Sequence, residues 1–263
     1  MKNLRKYGES PFMVAVIHGG PGAPGEMAPV AEELSSEAGI LEPLQTKTSI
    51  EEQIEELKTV LENYSEFPVT LIGFSWGAWL SYIFAAKYPS IIRKIILVGS
   101  GPFKEKYASQ IMETRLNRLN NEERKEVNSL MKKINESNIK NREEELARFG
   151  KLMLKTDSFN PLSSADELGT ENFQQEIYLK VWNEASELRK SGKLLELGKQ
   201  VESSVVAIHG DYDPHPYKGV QDPLSQVIKE FKFILLKNCG HKPWIEKEAR
   251  DKFYKIIRKE LKK

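Results

Sequence analysis

The sequence predicts an α/β protein built on a mostly parallel, doubly wound sheet with a helical block inserted into it. Three observations carry this expectation. Short β-branched runs recur towards both ends of the chain, each closing in a turn and followed by a helical pattern, which is the rhythm of βα units. Several of these runs lack polar alternation, as strands buried on both faces require. Between them, residues 104–203 hold only one of the 13 prolines but 36 of the 77 charged side chains, 18 basic and 18 acidic, a composition suited to amphipathic helices.

The expected strands are Phe12–His18, Ile40–Leu44, Val69–Phe74, Ile92–Val98, Val205–His209 and Phe231–Leu236, about six in all. Pro43 cannot donate a ladder hydrogen bond, so the strand Ile40–Leu44 is expected at a sheet edge or to end at that residue. A helix is predicted over Ile50–Tyr64, where Ile50, Ile54, Leu57, Leu61 and Tyr64 recur at helical spacing behind a Ser49-x-x-Glu52 capping box. Pro89 ends the helix that begins near Trp76. In the central block, Leu116, Leu119, Val127, Leu130, Leu152 and Met153 mark one packing face. The chain therefore divides into a core, residues 1–102 and 202–263, and an inserted helical unit, residues 103–201.

Composition narrows the function. The 263 residues carry 40% hydrophobic and 29% charged side chains, as a globular protein with a sizeable core does. A formal net charge of +1 leaves no electrostatic footprint for nucleic acid. Cys239 is the single cysteine, so no internal disulfide forms, as expected in a reducing compartment. The apolar run Pro11–Ile17 behind Lys2, Arg5 and Lys6 is too short for a signal peptide, and no stretch is long enough for a membrane span. A cytoplasmic protein without nucleic-acid or membrane partners is expected.

Four motifs carry chemistry. Val69–Phe74 runs into Gly73-Phe74-Ser75-Trp76-Gly77, a G-x-S-x-G at a strand-to-helix junction. There a serine is forced into a strained conformation that exposes its hydroxyl, and a Cβ on either glycine would collide across the turn. Upstream, Phe12–Ile17 leads into His18-Gly19-Gly20-Pro21-Gly22, a loop whose backbone N–H groups can face a ligand. The N–H groups of Gly20 and Trp76 form the natural pair for an oxyanion. Late in the chain, Val205-Val-Ala-Ile-His209-Gly210-Asp211-Tyr212-Asp213 puts two carboxylates just past a strand, and Asn238-Cys239-Gly240-His241 offers a loop histidine after the next. Serine, acid, histidine is the order expected of a triad built on successive strand ends of a doubly wound sheet.

On these motifs the sequence resembles the α/β-hydrolase superfamily over nearly its whole length. The H-G-G-P-G run and the G-x-S-W-G elbow are most similar to the prolyl aminopeptidase-like branch, although Ala78 stands where that branch commonly has a second glycine. The resemblance implies a helical cap at residues 103–201. It selects Asp213 over Asp211 as the triad acid, because the family's acid lies three residues after the strand-end glycine. Since about ten residues precede Phe12, it also implies that the first two family strands are missing.

The other candidates have plainer readings. His18 and His209 end strands and brace loops by hydrogen bonding, and His215 lies between two prolines. Cys239 reads as a small buried residue. Trp76 is the best of the four tryptophans for a pocket wall, whereas Trp79 reads as core. Glu143, Glu144 and Glu145 point in different directions on a helix and read as a solvated face. No His, Cys and carboxylate spacing resembles a metal site, and no cofactor is expected. The expectation is a serine hydrolase with Ser75 as nucleophile, His241 as base and Asp213 as orienting acid. Its substrate would be a small carboxylic ester; the alternatives are an aminopeptidase or amidase of the prolyl aminopeptidase type, and a non-catalytic small-ligand-binding protein of the same fold.

Overall fold

A computed structural model of the chain describes residues 3–134, 141–163 and 174–263. The strands are β1 Leu4–Tyr7, β2 Phe12–Ile17, β3 Gly39–Pro43, β4 Val69–Phe74, β5 Ile92–Val98, β6 Ser204–Gly210 and β7 Phe231–Leu236. They form one seven-stranded sheet in the order β1-β3-β2-β4-β5-β6-β7. Only β1 runs antiparallel to its neighbour. The helices are α1 Ala28–Leu34, α2 Ile50–Tyr64, α3 Trp76–Lys87, α4 Glu105–Ala108, α5 Gln110–Asn117, α6 Asn121–Ile134, α7 Arg142–Asp157, α8 Gln175–Lys190, α9 Lys193–Glu196, α10 Lys218–Val227 and α11 Arg250–Leu261.

The unbroken apolar runs are explained by burial of the sheet on both faces. Ala15, Ile17, Leu71, Ile95, Leu97, Val205 and Ala207 point to one side and pack with α2 and α3. Val14, Val16, Ile72, Phe74, Ile96, Val98, Val206 and Ile208 point to the other and pack with α1 and α11. Successive residues thus serve opposite layers, the period of two that a pleated strand imposes. The Ser49 hydroxyl accepts from the Glu52 N–H at 3.3 Å, as the capping box requires.

The edge differs from the expectation. The sheet has seven strands, because β1 pairs with β3 and covers it, so β3 is internal. Arg5 and Lys6 at the centre of β1 are exposed, and that polar face hides an edge strand from a reading based on apolar runs. Pro43 is tolerated because β3 ends there. Glu42, fully buried in β3, accepts from the Tyr7 hydroxyl at 2.8 Å and lies 3.5 Å from the Arg5 guanidinium. Burial raises the Glu42 carboxyl above its ordinary value, and these two partners only partly offset it.

Helices α4–α9 lie between β5 and β6 in two groups. Leu119, Val127 and Leu130, with Leu152 and Met153, form a small apolar cluster of their own. Ile177, Val181, Ala185 and Leu194, on α8 and α9, join the main core instead. The Trp182 ring stacks on Trp79 with centroids 5.9 Å apart, and the Tyr82 hydroxyl donates to the Leu195 carbonyl at 3.1 Å. Among the described residues, no helix is long and apolar enough to cross a membrane.

Candidate active site

β4 delivers Ser75 to the head of α3 with φ 51° and ψ −111°, a backbone region that side chains other than glycine rarely adopt. Such a residue costs about 1–3 kcal/mol and persists only where its surroundings enforce it. Here the enforcement is local. A Cβ on Gly73 would lie 2.2 Å from the Gly77 carbonyl oxygen, and one on Gly77 would lie 2.3 Å from the Ile17 carbonyl oxygen. The second contact also seats the end of β2 against the start of α3, which brings the glycine-rich loop beside the elbow. Ser75 is partly exposed, and its N–H donates to the Val98 carbonyl at 2.9 Å. Trp76 is the first residue of α3, where N–H groups lack an intrahelical acceptor.

The glycine-rich loop is braced from behind. His18 is buried, with Nδ1 2.8 Å from the Gly19 carbonyl oxygen and Nε2 accepting the Gln45 N–H at 3.1 Å. Burial lowers its basicity, so the ring is a neutral strut. The Gln45 side chain donates to the His18 carbonyl and accepts from the Trp76 indole at 2.8 Å. This corrects the expectation for Trp76: its side chain is buried in the main core and held by Gln45 and Gln53, so it is not a pocket wall. Gln45 and Gln53 carried no signal in the sequence.

On the other side of the site, Asp213 and His241 meet. The Asp213 side chain is fully buried, and its Oδ2 accepts from His241 Nδ1 at 2.7 Å. A carboxylate can only accept, so the His241 proton sits on Nδ1 and Nε2 is left as the basic nitrogen. Burial would raise the Asp213 carboxyl, but His241, His215 and His209 outweigh it and hold the group well below the usual carboxylate range. The Phe74 ring, next to Ser75, lies 4.8 Å from the His241 ring, so the histidine flanks the elbow. Asp211 is elsewhere. It is exposed, accepts from the Cys239 N–H at 3.3 Å and lies 3.6 Å from Lys237 Nζ.

The His241 loop is fastened to the helical insertion. The His241 N–H donates to the Asp157 carbonyl at 2.7 Å. Glu246, fully buried, accepts three backbone N–H groups, from Gly240 at 2.9 Å, Phe159 at 2.8 Å and Asn160 at 2.7 Å. The Asp157 carboxylate takes a two-pronged bond from Arg115 at 2.8 and 2.6 Å. Its burial would raise the carboxyl, but the Arg115 charge prevails and lowers it. On the facing side the Gln174 N–H donates to the Gly22 carbonyl at 2.7 Å, and Lys242 pairs with Glu26 at 2.7 Å, tying the histidine loop to the glycine-rich one.

Several other expectations can be placed. His209 donates Nε2–H to the His215 carbonyl at 2.8 Å, a loop brace. Trp79 is buried, with its indole on the Gly101 carbonyl at 3.0 Å. Cys239 is buried, and burial pushes its thiol upward, away from reactivity. Glu145 pairs with Lys133 on the neighbouring helix and Glu144 is exposed, while the Glu143 side chain lies outside the described residues. Asp213, His215 and His241 bring three possible ligand atoms within 4.8 Å of one another. The two rings are stacked, however, so their nitrogen lone pairs do not converge on one point, and both Nδ1 atoms already serve Asp213.

The sequence model of the alpha/beta hydrolase fold matches residues 21–248 of this chain. The chain belongs to the α/β-hydrolase family. Solved structures of similar shape include VinJ, at 14% identity and a TM-score of 0.73 over 98% of this chain and 94% of that one. A meta-cleavage product hydrolase from Pseudomonas fluorescens aligns at 16% identity and a TM-score of 0.67, over 98% and 92% of the two chains. MenH from S. aureus aligns at 19% identity and a TM-score of 0.63, over 100% and 98%. Comparison with curated protein sequences finds no significant match. At these identities the likeness is one of fold, and the chemistry of this α/β-hydrolase must be argued from its own residues.

Proposed function

We propose that this α/β-hydrolase is a serine hydrolase that cleaves a small carboxylic ester through an acyl-enzyme. The observation that carries the reading is the 2.7 Å bond from His241 Nδ1 to buried Asp213, made beside an elbow that holds Ser75 at positive φ. Ser75 Oγ attacks the ester carbonyl while its proton passes to His241 Nε2. Asp213 keeps the imidazole in the required tautomer and stabilises the imidazolium. The N–H groups of Gly20 and Trp76 bind the oxyanion, each contributing about 2.7–4 kcal/mol by analogy with measured donors. The imidazolium protonates the departing alkoxide. Water then gives a proton to His241 and attacks the acyl carbon, and Ser75 Oγ leaves with that proton.

Residues 103–201 act as the cap in this reading, with α5–α7, which pack around their own cluster, setting substrate size. Ester is favoured over aminopeptidase chemistry because Asp157, the one buried acid of the insertion among the described residues, is already neutralised by Arg115 and is not free to hold an α-ammonium group. The test compares p-nitrophenyl acetate and butyrate with proline p-nitroanilide and its N-acetylated form. Ester turnover that is lost in Ser75→Ala supports the reading. Hydrolysis confined to the free-amine anilide favours the aminopeptidase, and tight ester binding without turnover favours a binding protein.

A further inference from the structure

His215 has no part in the triad as described, yet it touches two of its members. It stands at the end of an Asp213-Pro214-His215 turn in which Asp213 Oδ1 accepts the His215 backbone N–H at 2.9 Å. The same oxygen lies 2.8 Å from His215 Nδ1. Because the carboxylate only accepts, that nitrogen carries its proton as well, so Asp213 Oδ1 serves His215 while Oδ2 serves His241 and lies 3.2 Å from His209 Nε2. The His215 ring also packs face-on against His241, with centroids 4.4 Å apart and planes 25° from parallel. The backbone beneath it is fixed in turn by His209 on the His215 carbonyl.

We propose that His215 is a positioning residue of this active site, whose Nδ1–H turns the Asp213 carboxylate to face His241. This rests on the serine-hydrolase reading and deepens it. Without the Nδ1–H, Asp213 Oδ1 keeps only the backbone N–H, and the carboxylate can tilt from His241 towards His209, whose Nε2 lies 3.2 Å from Oδ2. A largely buried imidazole is an expensive way to fill space. Burial depresses its pKa to about 4, so the ring is neutral at pH 7 and donates without competing with His241 for positive charge. The charged and titratable groups around it are Asp213, His209 and His241 from the strand-end loops and Arg115 and Asp157 from the insertion.

Two substitutions separate the donor from the ring. His215→Asn puts an amide N–H where Nδ1 stood and removes the ring, whereas His215→Phe keeps a ring and removes the donor. The first readout is the rate at which a fluorophosphonate labels Ser75. The second is the low-field proton NMR spectrum, in which an Nδ1–H bound to a buried carboxylate resonates apart from the amides. The inference predicts two such protons in the wild type. In His215→Asn the His241 proton remains and labelling stays within about threefold, since the hydrogen bond to the carboxylate is replaced in kind. In His215→Phe the His241 proton broadens or is lost, and labelling falls about tenfold or more. Wild-type behaviour in both variants, or equal losses in both, overturns it. If the wild type shows no labelling, the serine-hydrolase reading fails instead, while the proton spectra still decide whether His215 orders the Asp213–His241 pair. Should His215→Phe fail to fold, His215→Ala removes the same donor and is read in the same way.

Discussion

Ser75 and His241 flank one another but are held by different physics. Ser75 owes its placement to backbone sterics within five residues, Gly73 to Gly77, closed by one contact with the end of β2. His241 depends on bonds gathered from distant stretches of chain: Asp213 after β6, Glu246 beyond the histidine itself, and Asp157 to Asn160 at the end of α7. Ser75 therefore comes with its strand and helix, whereas the His241 loop also leans on contacts with Asp157, Phe159 and Asn160 beyond the sheet. Changes that act on the serine half should be local and all-or-none, while those on the histidine half should be graded.

The largest effects expected are chemical. Ser75→Ala and His241→Ala should each lower kcat by up to about 10⁶, and Asp213→Asn by about 10⁴, by analogy with measured serine-protease triads. Asp211→Asn should stay within about threefold, because surface substitutions away from key contacts rarely exceed about 0.5 kcal/mol. Steady-state kinetics on the best ester checks all four, and a larger loss at Asp211 than at Asp213 would reverse their roles.

Next comes the elbow. Gly77→Ala forces a Cβ to 2.3 Å from the Ile17 carbonyl, within a strand that cannot yield. Urea unfolding should show a loss of about 4 kcal/mol or more, in the exceptional range for one residue. On the histidine side, Glu246→Gln leaves one of three backbone N–H groups facing an amide donor. It should cost about 1.5–3 kcal/mol of stability and lower kcat with KM little changed. An unaltered kcat would mean that the histidine loop does not need its anchor.

The last expectation is a pH dependence of stability. His18 and His209 are buried and His215 is largely so, and desolvation depresses all three below 6.5 in the folded state, His215 to about 4. The unfolded chain takes up their protons as pH falls through 6.5 while the folded one does not, so stability is full above that pH and declines below it. Asp213, also depressed, adds a further loss below its ordinary 3.8. Urea midpoints between pH 7 and 5 should fall, and His215→Asn should make the slope shallower by up to one proton, or about 1.4 kcal/mol per pH unit.

This division also explains what could be read from the sequence. The parallel strands, the elbow, the histidine loop and the carboxylates after β6 were legible because each is a local pattern: a run of β-branched residues, two glycines around a serine, a turn after a strand. Strand β1 was hidden by Arg5 and Lys6, whose charge suits an exposed edge. Gln45, Glu246 and the Arg115–Asp157 pair were invisible because their meaning lies in partners 31, 86 and 42 positions away. The Trp76 side chain was misjudged for that reason, since its burial depends on Gln45. The division of the helical insertion into two groups escaped as well, because periodicity reveals an apolar face and not what that face covers.

The central claim is that the elbow and the Asp213–His241 pair act together on Ser75. Intact-mass measurement of wild type, Ser75→Ala and His241→Ala after exposure to a fluorophosphonate tests it most directly. One equivalent of label on the wild type, mapped to Ser75 and absent from both variants, is the predicted result. A folded wild type that takes up no label, or a His241→Ala variant labelled as fast as the wild type, would contradict it.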